Sequence, residues 1–186
     1  MSREALAEHD RMIAALVMPG HVVAVDAIAG KVRIKSLEWV SPWVRWHSQA
    51  AGKARHWRVP SIGEHGTLIS PSGVPSLGRF IPGLYSDAGP QPDNRDHVEV
   101  WRFDDGGSLI YDWAGKTYEI TLPTGTATIK VGGSTLTVTD SAVIVKSSLI
   151  KLDGATEIGG TLKVNGDITG LGKITDTGGN TPNHIH

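Results

Sequence analysis

Cysteine is absent from this chain. That excludes a disulfide framework and any thiolate metal site, so stability must come from packing, assembly or a metal bound through other ligands. Net charge is nearly absent as well, with 18 basic against 19 acidic residues leaving a formal charge of -1. Such a balance gives no long-range attraction for phosphate backbones or anionic membranes, and nucleic acid is not expected as a partner. No stretch approaches the roughly 20 apolar residues of a membrane span. The start, Met1-Ser2-Arg3-Glu4, carries an acidic residue and leads into no apolar run of the secretory kind, so cytoplasmic synthesis without a signal peptide is expected. Aromatic residues are missing from the whole C-terminal third: all six Trp, three Tyr and two Phe lie at or before Tyr118.

What is present is the composition of a folded chain, 39% hydrophobic and 20% charged over 186 residues, enough for one large or two small domains. Ala5, Leu6, His9, Met12, Ile13, Leu16 and Val17 recur at spacings of three and four, which predicts an amphipathic helix over 1–18 stopped by Pro19-Gly20. Val22 to Val25 and Lys31 to Lys35 alternate around a turn ending in Gly30 and predict a β-hairpin. Short runs at 43–47, 56–59, 67–70 and 79–85, separated by Gly, Pro and Ser, extend this to a small barrel over 19–95. Gly89-Pro90-Gln91-Pro92 marks the boundary. Beyond it, 97–103, 108–113 and 117–122 predict a three-stranded meander around Asp104-Asp105-Gly106-Gly107 and Ala114-Gly115-Lys116.

From Thr126 the runs become very short: 126–131, 135–139, 142–145, 149–152, 161–164 and Ile168. Turn residues punctuate them every six to eight residues, the range of β-helical repeats. Small β-branched and Leu residues fall on one face and Ser, Thr and Lys on the other. A wall of this kind leaves its apolar face and strand edges exposed, so 96–175 is read as meander plus one strand of an intertwined oligomeric needle. Folding and association are then one event.

Several strings together resemble one family, the baseplate assembly protein V spikes of P2-like contractile phages and the central spikes of R-type bacteriocins such as the pyocins. Gly20 to Asp26 with Gly30 to Ile34 look like the first hairpin of that family's OB-fold. Ala51 to Trp57 and Pro60 to Glu64 resemble its middle, and Ser70 to Gly73 and Gly83 to Asp87 its end. Asn183-His184-Ile185-His186 resembles the histidine-X-histidine apex, here 176–186. The resemblance implies an all-β chain with one N-terminal helix, in which an OB-fold is followed by a homotrimeric, triple-stranded β-helix. It implies docking of the barrel onto a tail tube or baseplate hub, assembly into a phage or bacteriocin tail, and mechanical piercing of a bacterial outer membrane without enzymatic activity. It also implies one structural iron ion per trimer, held by His184 and His186 of each chain, with further ions possible along the axis.

The chemistry of that apex is readable from the residues. Histidines at i and i+2 of an extended segment point to one side. One chain offers two imidazoles, and a threefold axis would bring six, a filled octahedral shell that suits a structural metal rather than a catalytic one. Such a shell favours Fe(II), Ni(II) or Co(II) over Zn(II), and the resemblance selects iron. Other groups are weaker candidates. Asp104, Asp105 and Asp112 could form a carboxylate cluster for glycoside cleavage, although Asp-Asp-Gly-Gly is first a turn. His47, His56 and His65 beside Trp43, Trp46 and Trp57 could serve a sugar or single-stranded nucleic acid on an OB-fold, the alternative function, or line a docking surface. A metal-dependent hydrolase using the two terminal histidines would need a third ligand and an open site.

Overall fold

The computed structural model describes residues 2–173. Helix α1 (Arg3–Leu16) opens with Ser2, whose hydroxyl accepts the Ala5 N–H at 3.2 Å, and carries Glu4 in its first turn, two features that satisfy a helix N-terminus. It ends at Leu16, earlier than Pro19-Gly20, and both of those residues lie inside β1 (Val17–Asp26). Over Val17 to Gly20 β1 pairs with one neighbour only, a one-sided stretch that tolerates a residue without an N–H. The helix is seated closely, because a Cβ on Gly73, which has φ +65°, would collide with the backbone of Met12.

The barrel follows from β1 with β2 (Lys31–Ser36), β3 (Trp39–Val40), β4 (Val44–Trp46), β5 (His65–Ile69) and β6 (Arg79–Leu84). The order is β1-β5-β6-β4-β2-β3, and the additional β1–β2 pairing closes five of these strands on themselves, with β3 attached to the rim of β2. A β-bulge between Val22 and Ala24 lets β1 turn the corner that closure requires. Val22, Val32, Ile34, Val44, Leu68 and Phe80 are buried and form the core. Gly66 is required beneath Phe80, since a Cβ there would meet that ring and the Ile81 carbonyl. Residues 56–59, expected as a strand, pair with nothing in the barrel beyond the neighbouring bridge between Ala51 and Arg55. The ladder that closes the barrel runs instead through β5 and β6.

The meander forms as its alternation requires: β7 (Val98–Arg102), β8 (Ser108–Asp112) and β9 (Thr117–Thr121), antiparallel in that order. The chain divides into two compact units, Met1–Pro123 and Thr124–His186. Contacts within the single chain thus put the meander in the first unit. The second unit opens with β10 (Thr126–Val131), β11 (Ser134–Thr139) and β12 (Val143–Lys146), again antiparallel in chain order. Segments 149–152 and 161–164 and residue Ile168, expected as strands, have no ladder among the described residues. In an intertwined needle the ladder partners of such segments belong to other chains. Among the described residues the architecture is mostly β, with one N-terminal α-helix and two short 3-10 helices at Pro71–Gly73 and Pro75–Leu77.

Candidate functional site

The needle wall is the most unusual surface of the chain. Cross-strand register aligns Ile129 with Leu136 and Val145, and Ala127 with Val138 and Val143. Partners directly opposite share a face, so Ala127, Ile129, Val131, Leu136, Val138, Val143 and Val145 make one aliphatic face. The reverse face carries Thr126, Thr128, Lys130, Thr135, Thr137, Thr139 and Lys146, interrupted by Ile144. Although apolar, the first face lies open: Val131 is 75% exposed, Val143 68% and Ile129 66%. Among the described residues β10 and β12 each pair on one side only, leaving two free edges. Further along, Leu149, Leu152, Leu162 and Ile168 are also exposed. Covering a large aliphatic side chain is worth about 1.5 to 3 kcal/mol, so a partner that closed this face would gain on the order of 10 kcal/mol per chain. A soluble monomer does not leave that unused.

The barrel unit carries local networks. Both terminal nitrogens of Arg58 reach the Glu64 carboxylate, at 2.6 and 2.9 Å, and the same carboxylate accepts the Ser61 N–H at 2.9 Å. Partial burial pushes the Glu64 carboxyl upward, but Arg58 and the backbone N–H groups outweigh it and hold it below its ordinary value. His21 and His65, neighbours across β1 and β5, stack with centroids 5.6 Å apart. Trp46 and Trp57 pack at 5.4 Å, His56 meets the edge of Trp101 at 6.2 Å, and Arg33 lies over Trp43 at 6.0 Å. Thus His47, His56 and His65 do not converge: His65 belongs to the pair with His21, and His56 faces the meander.

The acidic candidates are turn residues. Asp105 accepts the Gly107 N–H, and Asp112 accepts those of Ala114 and Gly115 at 2.9 and 2.8 Å. Asp112 also faces Arg95 at 3.5 Å and His97 at 3.8 Å. The Gly115 N–H above all, with Ala114, His97 and Arg95, outweighs desolvation and lowers its carboxyl, the opposite of what a general acid needs. Among the described residues no group of three or more His, Asp or Glu is arranged to hold a metal ion. The two histidines singled out for that task, His184 and His186, lie outside the described residues.

Sequence reasoning missed the His21–His65 stack, the Arg58–Glu64 pair and the groove flanked by Trp57, Tyr85, Trp101 and Phe103. All three join residues distant in sequence or set in loops, where no periodic signal exists. Within one strand, the pairing of β1 with β5 was the one clue that could have joined His21 to His65.

Comparison with known proteins covers both units. Residues 18–85 match the family model for the type VI secretion system/phage-baseplate injector OB domain. Residues 99–170 match the model named Gp138, beta helical trimerization domain. The chain is similar to the spike protein of Escherichia phage P2, with 31% identity over 178 residues that span 91% of this chain and 82% of that protein.

Proposed function

Because this chain belongs to the phage tail spike family, a baseplate component with an OB domain and a β-helical trimerisation domain, we propose that it works as the membrane-piercing point of a contractile tail. The observation that carries the reading is the open aliphatic face of β10–β12, bounded by two free edges, inside the segment that matches a trimerisation domain. Three such walls close on one another around a threefold axis and bury what each leaves exposed. A narrow rod with no flexible core of its own transmits an axial push without needing chemistry. The barrel docks on the tail tube or hub. Force from sheath contraction is then concentrated on a small area of the target's outer membrane.

The tip is where such a rod frays first. With no thiolate in the chain and no ligand cluster among the described residues, the donors that suit a metal are the imidazoles of His184 and His186. Six neutral imidazoles from three chains fit an octahedral ion without an open position, iron by family likeness, and further ions on the axis are compatible with it. A bound ion supplies a cross-link between three chain ends and stabilises the assembled state because it binds no other. The role is structural, with no catalytic residue assigned.

The deciding experiment combines native mass with metal analysis, and the expected result is three chains and one ion. In the double variant His184→Ala, His186→Ala the ion should disappear while the trimer persists. Since imidazole must be neutral to bind, metal content should also fall as pH drops below about 6. An ion retained in the double variant, or full occupancy at pH 4, would refute the histidine clamp.

A further inference from the structure

Within the first unit a groove of about 970 Å³ runs between the barrel loops and the meander. Its barrel side presents Trp57, 64% exposed, and Tyr85, 70% exposed. Its meander side presents Trp101 and Phe103, both also substantially exposed, and its floor includes Pro90 and Pro92 of the linker. Residues 100–104 line it consecutively. The first three belong to β7 and the last two to the turn after it; side chains alternate along a strand, so a groove that touches three successive β7 residues runs along the strand's edge rather than over one face. Among the described residues that edge is open, because β7 pairs with β8 alone.

We infer that the occupant of this groove is a second copy of the same chain. The inference rests on the trimeric reading and extends it to the first unit. Its warrant is continuity: the β7 side of the groove lies in the segment matched by the trimerisation domain, whose model begins at residue 99, so the threefold assembly brings a neighbour to this edge. Large aromatic rings on the facing barrel loops give the neighbour apolar surface to bury, and the free backbone groups of β7 give it hydrogen bonds. The contact is heterologous, one surface of each copy meeting a different surface of the next, which closes on itself in a ring of three. Each barrel is thereby held to its own meander and to a neighbouring chain, which restrains it on the proline-rich linker when the tail is loaded.

The test places the photo-crosslinker p-benzoyl-phenylalanine at Tyr85 in the full-length protein, where the high exposure of Tyr85 lets the fold accept it. Irradiation of the purified spike should give covalent species at two and three times the chain mass on a denaturing gel. The same crosslinker at Ile28, a fully exposed hairpin tip, is the reference and should give far less. Light scattering on the same samples separates the two levels of the reading. A trimer that yields only intrachain product, or equal ladders from both positions, overturns the groove assignment and leaves the trimer standing. Crosslinks that form only when a baseplate partner is added assign the groove to that partner and also overturn it. A monomer by scattering overturns both.

Discussion

In the barrel, Val22, Val32, Ile34, Val44, Leu68 and Phe80 are sealed inside one chain, whereas in the β10–β12 sheet Ile129, Val131, Val138 and Val143 stand 43% exposed or more. The side chains are of the same kind, so hydrophobicity does not explain the difference. Topology does. The bulge after Val22 and the β1–β2 pairing curl the first sheet until its apolar face encloses itself. The three strands β10–β12, joined in sequence with no pairing between β10 and β12, do not close on themselves, and their apolar face is left to be covered from outside. One region folds by itself; the other folds by assembling.

The largest effect should come from placing a charge where only assembly provides burial. Leu136 sits mid-face in register with Ile129 and Val145, so Leu136→Asp would set three carboxylates inside a closed needle, at several kcal/mol for each ion taken out of water. Native mass should fall from three chains to one while the barrel keeps its melting transition. Aspartate at Thr137, on the opposite face, should leave the trimer intact. Equal behaviour of the two variants would erase the distinction between the faces.

The converse change strikes the self-contained region. Gly66→Ala drives a methyl against the Phe80 ring and the Ile81 carbonyl, and backbone cannot yield as a side-chain tip can. A loss of about 3 kcal/mol from the barrel is expected, the upper end of ordinary overpacking. Calorimetry should show the barrel transition displaced to lower temperature and the needle transition unmoved. A coupled shift of both would mean that the two regions stabilise each other more than their separate cores suggest.

The regularity of each region decided how far it could be read. Alternation in Lys31 to Lys35 and in the meander gave β2 and β7–β9 nearly to the residue, because strands with one buried face must alternate. The two-faced pattern of 126–145 likewise announced a wall in need of partners, and the structure shows its aliphatic face open. What escaped depends on closure: Pro19-Gly20 reads as a helix stop until β5 is known to pair beside it, and Trp39–Val40 becomes a strand only because β2 offers a free rim. The terminal histidines were legible as a motif alone. His184 and His186 lie outside the described residues, and no single sequence encodes a threefold axis directly.

A smaller effect isolates electrostatics within the self-contained region. Glu64 fixes the turn between 61 and 64 through Ser61 and receives both arms of Arg58, and its main-chain carbonyl accepts the Val22 N–H at 2.9 Å, so the pair anchors loop to barrel. Its carboxyl titrates below the ordinary value, and the sign follows: stability from this group is present above the unfolded-state pKa of about 4.3 and is lost as pH falls through the lower folded value. Half of the Arg58 side chain is exposed to solvent, which weakens the pair. Glu64→Gln should therefore cost the barrel about 0.5 to 1 kcal/mol at pH 7, in the range of partly screened ion pairs. Thermal melts of parent and variant should converge once pH has fallen through the lowered folded value, where both side chains are neutral. A gap that survived beyond that point would assign the effect to the amide's altered hydrogen bonding with Ser61 rather than to charge, and a shift in trimer mass at any pH would show that this loop belongs to the assembling region after all.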